Sequence, residues 1–281
     1  QVYDIARNTG AYLVEQLGVD RTPVAVFAGR KMVTPAYFLG VVYAGRPYAP
    51  IDASLPDKRI EKILENLCPR AIVADMESLE HVESIVDELV KSEGFDRPQI
   101  FVAEDISRFE QVACADSNCK ISESAGDAVT DSENDTDGGV VASCAGKTDD
   151  SSLEKLATVR RHMSMTDPLY IIYTSGSTGN PKGVMTSHLS LMTYINAYCD
   201  VMHIEESDVL GNQSPLDYIA AIRDIYLPLK TGCSTAIIPK EYFMEPNALF
   251  DYMNDKKVSS VGWSVSAFTI LTSLGAFEEV G

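Results

Sequence analysis

Apolar positions along the chain switch repeatedly between the 3.6-residue spacing of a helix face and short continuous runs, and the order of the switches predicts a fold. Residues 2–17 carry Ile5, Ala6, Ala11, Tyr12, Val14 and Leu17 on one helical stripe. The run 22–28 reads as a strand closed by Gly29. Thr34 is then expected to cap a helix reaching Ala44, with Pro35 in its first turn and Gly45 past its end. Residues 48–52 lead into a helix ending at Leu67, followed by a strand at 71–74, a helix at 77–91 and a strand at 99–103. Further on, His188 opens a helix through Leu191, Ile195 and Tyr198, and a strand follows at 209–213. A helix through Ile225, Tyr226 and Leu229 stops at Lys230-Thr231-Gly232, a basic residue and then a glycine, as helix ends prefer. Strand 233–238, helix 246–255 and strand 258–262 complete the alternation. Strands alternating with helices imply an α/β fold: layered, mostly parallel sheets flanked by helices.

Between 114 and 152 the pattern stops. Nine acidic residues (Asp116, Glu123, Asp127, Asp131, Glu133, Asp135, Asp137, Asp149, Asp150) face Lys120 and Lys147, with no aromatic residue. Too little apolar surface is present to offset ordering entropy, so this stretch reads as a disordered acidic surface insertion. A metal-binding cluster at Asp131, Glu133, Asp135 and Asp137 is the alternative, although the glycine and glutamate of a calcium-binding EF-hand loop are not in place.

Composition narrows the function classes. The chain has 281 residues, 45% of them hydrophobic, which is globular, and no run of 18 apolar residues suggests a membrane span. The net charge of −18 argues against nucleic acid as a partner. Six cysteines (68, 114, 119, 144, 199, 233) lack paired metal or disulfide spacing, so a reducing cytoplasm is expected. No signal-peptide pattern opens the chain, and Gln1 in place of Met suggests that the natural start lies elsewhere.

The chemistry concentrates at 169–188. Leu169 to Tyr173 read as a buried strand that turns abruptly into Thr174-Ser175-Gly176-Ser177-Thr178-Gly179-Asn180-Pro181-Lys182-Gly183. Glycines let a backbone approach a ligand closely, successive N–H groups and hydroxyls bind anions, and Lys182 supplies a compact positive charge. A phosphate cradle is the reading; a flexible linker of similar composition is the alternative. The pattern is not a P-loop, because Gly176 and Gly179 stand too close together and Lys182 is followed by Gly183.

That whole string, with the second short strand at 183–186, resembles the phosphate-binding motif of the adenylate-forming (AMP-binding) superfamily: acyl-CoA synthetases, luciferases and the adenylation domains of nonribosomal peptide synthetases. A second stretch, VVYAGRPYAPIDASLPDKRI (41–60), resembles another motif of the same family and stands in the family's order. Together with the run Asp224-Ile225-Tyr226-Leu227-Pro228-Leu229, these look most like nonribosomal peptide synthetase adenylation domains and D-alanine–carrier protein ligases.

The resemblance implies a partial N-terminal (large) adenylation domain spanning 1–281, without the family's later adenine, ribose and magnesium segments and without its small lid domain bearing the catalytic lysine. Such a chain is expected to be inactive alone. It implies ATP and Mg2+ as cofactors, Thr174, Ser175, Gly176, Ser177, Thr178, Gly179 and Lys182 at the phosphates, and a carboxylic acid and a carrier-protein phosphopantetheine thiol as partners. Coenzyme A as acceptor, or a truncated non-catalytic nucleotide-binding module, are the alternatives. His188 is implied near the acyl pocket, a capping or packing histidine being the other reading. Amino-acid activators carry F-D-x-S before the helix that ends at Gly232. Counted back without a gap, Tyr218-Ile219-Ala220-Ala221 match, so Ile219 stands where those enzymes have Asp. A buried ammonium without a counter-charge is disfavoured, so the pocket is expected to prefer an acid lacking an α-amine. Asp217, two residues back, would share a strand face with Ile219 and could supply that charge, or could be a surface residue.

Overall fold

The computed structural model describes residues 1–92, 94–108, 150–174 and 180–277. Five strands run parallel in the first sheet: β1 (Val24–Phe27), β2 (Tyr48–Pro50), β3 (Ala71–Ala74), β4 (Gln99–Val102) and β5 (Pro168–Thr174). The antiparallel β6 (Lys182–Ser187) closes one edge, giving the order β4-β3-β1-β2-β5-β6. A second, parallel sheet has the order β8-β7-β9, from β7 (Val209–Asn212), β8 (Ser234–Ile237) and β9 (Ser260–Val261).

Strands β1, β2 and β3 are buried along their whole length, as expected of parallel strands covered on both faces. Alternate side chains serve different layers. Ala25, Phe27, Ala49, Ile72 and Ala74 pack under α3 (Asp57–Leu67) and α4 (Leu79–Val90) through Ile60, Leu64, Val82 and Val86. Val24, Val26, Tyr48, Ala71 and Val73 pack on the opposite face against α1 (Val2–Leu17) and α2 (Thr34–Tyr43). The chain is carried onward by α5 (Ala103–Ile106), α6 (Asp150–His162), α7 (His188–Met202), α8 (Ala221–Thr231), a 3-10 turn (Lys240–Met244), α9 (Pro246–Asp255) and α10 (Val265–Ser273). Helix α8 joins the first sheet's core through Ile222, Ile225 and Tyr226, and a smaller core around Ile238, Phe243, Leu249 and Leu271 stabilises the far end of the second sheet.

The α/β expectation holds. Four local expectations are corrected. Thr34 does not cap α2: its hydroxyl donates to the Gly29 carbonyl at 2.6 Å and accepts from none of the helix's free N–H groups. Strand 258–262 contracts to Ser260–Val261. Residues 216–220 form turns rather than strand, which removes the basis for placing Asp217 and Ile219 on one face. Residues 150–152, assigned to the insertion, start helix α6; the rest of that stretch, 114–149, lies outside the described residues.

Candidate functional site

The C-terminal ends of the parallel strands in both sheets point into a shared cleft, the location where open α/β sheets bind ligands. From the first sheet come Ala28, Gly29 and Arg30 after β1, Ile51 and Asp52 after β2, and Thr174 at the end of β5. From the second come Pro215, Leu216 and Asp217 after β7, and Lys240 after β8. One part of the cleft, about 350 Å³, is lined by Asp52, Arg59, Tyr173, Thr174, Asp217 and Tyr218 over an apolar floor of Ile51, Leu55 and Ile63.

Thr174 and Lys182 form the last pair of the β5–β6 hairpin, and the Thr174 hydroxyl donates to the Lys182 carbonyl at 3.5 Å. Both side chains are exposed, so the hydroxyl and ammonium sit at the mouth of the segment between them. The remaining expected phosphate ligands, Ser175, Gly176, Ser177, Thr178 and Gly179, lie outside the described residues.

The motif at 41–60 now acquires a physical content. Tyr48 is fully buried, stacks on Phe38 at 4.6 Å between ring centroids, and its hydroxyl accepts from Tyr226 of α8 at 3.2 Å. Burial pushes the Tyr48 hydroxyl's pKa well above the usual phenol range, and it stays protonated. Asp52 accepts from the Ser54 N–H at 2.8 Å, turning the chain into α3, and lies 3.7 Å from the Lys240 ammonium. Arg59 projects from the first turn of α3 into the cleft.

The predicted pocket residues separate. Asp217 and Tyr218 face the cleft beside Asp52, whereas Ile219 points into a different cavity of about 280 Å³, with Tyr170, Thr186, Leu191, Tyr194 and Ile222. Among the described residues, no acidic side chain lines that second cavity. Asp217 is half-buried rather than a surface residue; burial and then the neighbouring Asp52 charge raise its carboxyl above the ordinary range, partly offset by nearby backbone N–H groups and Lys240. His188 is half-buried at the start of α7, its N–H bonded to the Asp167 carbonyl at 3.2 Å. Burial lowers its imidazole pKa, with Asp167 opposing. It does not cap α7: Ser187 does, accepting from the Ser190 N–H at 3.2 Å.

Sequence reasoning missed the polar ties that hold the cleft. The Arg30 guanidinium donates to the Ile238 carbonyl (2.7 Å) and to the carbonyl (2.7 Å) and side-chain oxygen (2.9 Å) of Asn212, joining the loop after β1 to both β7 and β8. Asn212 in turn donates to Asp224 at 2.9 Å, and Asp224 pairs with Arg223, whose guanidinium lies over the Tyr198 ring. Asp75, buried at the end of β3, accepts from the Gly29 N–H and from Lys31, and fixes the same loop from below. Its carboxyl is held below the ordinary range: burial pushes it up, and the Gly29, Ser78 and Lys31 donors together outweigh that. The legible signal was charge on apolar faces: Arg223 and Asp224 interrupt the buried stripe of α8.

The AMP-binding enzyme family model matches residues 1–280. The chain belongs to that family. Among curated relatives, a D-alanine–D-alanyl carrier protein ligase of Bacillus velezensis is 28% identical over 239 residues, 85% of this chain and 37% of the relative. The chain thus spans well under half the length of the curated relatives it matches. The fold recurs in a fatty acyl-adenylate ligase of L. pneumophila solved with acyl adenylate and pyrophosphate (TM-score 0.67, 18% identity, 97% of this chain and 40% of that one). It recurs also in a four-domain nonribosomal peptide synthetase bound to AMP and glycine (TM-score 0.66, 19% identity, 97% and 16%). For this member of the AMP-binding family, the cleft at the strand ends is the candidate active site.

Proposed function

We propose that the protein to which this chain belongs activates a carboxylic acid with ATP and passes the acyl group to a carrier-protein phosphopantetheine thiol. In the first step a carboxylate oxygen attacks the α-phosphorus of ATP. The bond to the bridging oxygen breaks, and acyl-adenylate and pyrophosphate result. In the second, the thiol sulfur attacks the acyl carbon, AMP leaves with the bonding pair, and the thiol proton goes to solvent. Such chemistry asks a protein mainly to position and to stabilise charge. The observation that carries the reading is the convergence of the two family motifs on one cleft, Thr174, paired with Lys182, from one and Asp52 and Arg59 from the other.

In this reading Thr174 and Lys182, with Ser175, Gly176, Ser177, Thr178 and Gly179, hold the β- and γ-phosphates. Their hydroxyl, N–H and ammonium donors suit phosphate oxygens. Mg2+ enters through the chemistry of a nucleoside triphosphate. Among the described residues no cluster of three or more carboxylate, imidazole or thiol groups stands ready to hold a metal, so no protein ligand is assigned to it. The chain is the earlier part of a large adenylation domain, and catalysis needs the family's later segments. A cytoplasmic location goes with this substrate set, and among the described residues no helix is long and apolar enough to cross a membrane.

The test is ATP–pyrophosphate exchange by the full-length protein with a panel of acids, followed by transfer assays offering either a carrier protein or coenzyme A. Lys182→Ala should weaken ATP use by ~10–100-fold, the loss of one charge-assisted contact of ~1.5–3 kcal/mol. Unchanged ATP kinetics in that variant would remove the cradle from the mechanism, and transfer to coenzyme A alone would replace the proposed acceptor.

A further inference from the structure

The hairpin that carries the cradle is tied to a helix from the other motif. On its first strand, Tyr173 donates through its hydroxyl to the Asn66 side-chain oxygen at 2.9 Å. Past the cradle, the Asn180 side-chain oxygen accepts from the Lys62 ammonium at 3.1 Å. Lys62 and Asn66 lie four residues apart in α3, so they stand one turn apart on one helix face. One donor, Lys62, and one acceptor, Asn66, on a single rigid element therefore grip the chain immediately before and after residues 174–179.

The packing is built for this grip. A Cβ at Gly183 would meet Ile171 Cγ2 at 2.9 Å and the Tyr173 ring at 3.1 Å, so the ring occupies space that a side chain at position 183 would need. From there its hydroxyl reaches Asn66. Burial raises the Tyr173 hydroxyl's pKa to about 12, so it remains a donor at neutral pH. Helix α3 is itself anchored under the sheet by Ile60, Ile63, Leu64 and Leu67, which gives the grip a fixed base.

We infer that Lys62 and Asn66 are positioning residues: α3 sets the register of the phosphate-binding segment relative to the cleft by holding its two flanks. This rests on the function proposed above. Neither side chain needs to touch a nucleotide, and each acts through its partner, Asn180 or Tyr173. The inference also gives a physical reason for the second motif to accompany the first, since its Pro56, Arg59 and Ile60 start and seat the helix that does the holding.

The experiment uses the full-length protein, with exchange kinetics measured for ATP and for the preferred acid. Lys62→Ala and Asn66→Ala should each raise KM for ATP by ~3–10-fold, the size of one modest hydrogen bond, and leave KM for the acid within about twofold. Lys62→Arg should recover most of the loss. In double-mutant cycles, Asn66→Ala with Tyr173→Phe and Lys62→Ala with Asn180→Ala should each cost no more than the worse single change. Both positions are exposed, so melting temperatures should stay close to wild type and folding is not at issue. Equal rises in KM for acid and ATP, additive cycles, or unchanged ATP kinetics would overturn the inference. An inactive wild type would instead count against the function it rests on, because the inference predicts a change relative to a working enzyme.

Discussion

Asp217 and Ile219 are two residues apart and serve two cavities, because the backbone turns between them instead of running extended. Taking over the role of a missing Asp at position 219 would require Asp217 to reach out of the polar cleft into an apolar cavity. An acid without an α-ammonium is therefore the expected substrate. In exchange assays an amino acid should be used at least ~10³-fold less well than its deaminated analogue, since an unpaired buried charge costs several kcal/mol. Robust amino-acid activation that Asp217→Asn abolishes would sink the assignment. Asp217 should show itself in stability. Its folded-state pKa is raised above the ordinary 3.8, so the folded protein holds this proton longer than the unfolded chain does. Ionisation then costs stability as pH rises from the unfolded pKa through the folded one. Asp217→Asn lacks that loss, so its melting temperature relative to wild type should climb as pH rises above the ordinary 3.8. A flat or falling difference would show that neither burial nor the Asp52 charge raises this carboxyl.

Elements were read with uneven success, for reasons visible in their packing. Helices α1, α3 and α8 carry broad apolar stripes, and their positions were legible within a residue or two. Helix α6 was not, because among its described side chains only Leu156 and Val159 are buried, between charged and exposed neighbours. Val159 nonetheless fits a slot: a Cβ on Gly45, itself at φ +75°, would come within 2.6 Å of it. The turn at 216–220 was misread as strand because Leu216, Ile219 and Ala220 are apolar, and a short apolar run does not reveal its period. A close approach between two helices was also hidden in the sequence. Helices α1 and α2 cross where Gly10 faces Tyr43 and Gly40 faces Thr9. A Cβ on Gly40 would meet the Thr9 Cβ and Cγ2 at 2.5 Å, and a branched side chain on a packed helix has nowhere to go. Gly40→Ala gains about 1 kcal/mol of helix propensity, but overpacking of this kind costs about 1–3 kcal/mol and forces the helices apart. A lower melting temperature is expected. A rise would mean the crossing yields more easily than these distances imply.

At the scale of the molecule, the site exists only if the two sheets keep their relative placement, and two buried ties do that. The Tyr48–Tyr226 hydroxyl pair links β2 to α8 deep in the core. The Arg30 guanidinium links the loop after β1 to both β7 and β8 at the cleft itself. Motifs announced the first sheet's contribution, because phosphate chemistry leaves a local signature of glycines and hydroxyls. The Arg30 tie joins residues 182 and 208 positions apart, and no local pattern marks such a pairing. It is testable as a single unit. Arg30→Ala takes a donor from the Ile238 carbonyl and from both Asn212 oxygens, of which the Asn212 carbonyl keeps the Ile238 N–H at 2.9 Å, and these residues are 0% and 1% exposed. Losing these charge-assisted bonds to buried acceptors puts the expected destabilisation at about 3 kcal/mol. Arg30→Lys should recover only part of this, because one ammonium on a flexible stem cannot span the three acceptors that the planar fork reaches at once. If the tie also sets the cleft, the alanine variant of the full-length protein should lose activity well below its melting temperature. A stable Arg30→Ala protein with normal exchange kinetics would show that the tyrosine pair alone keeps the sheets in place.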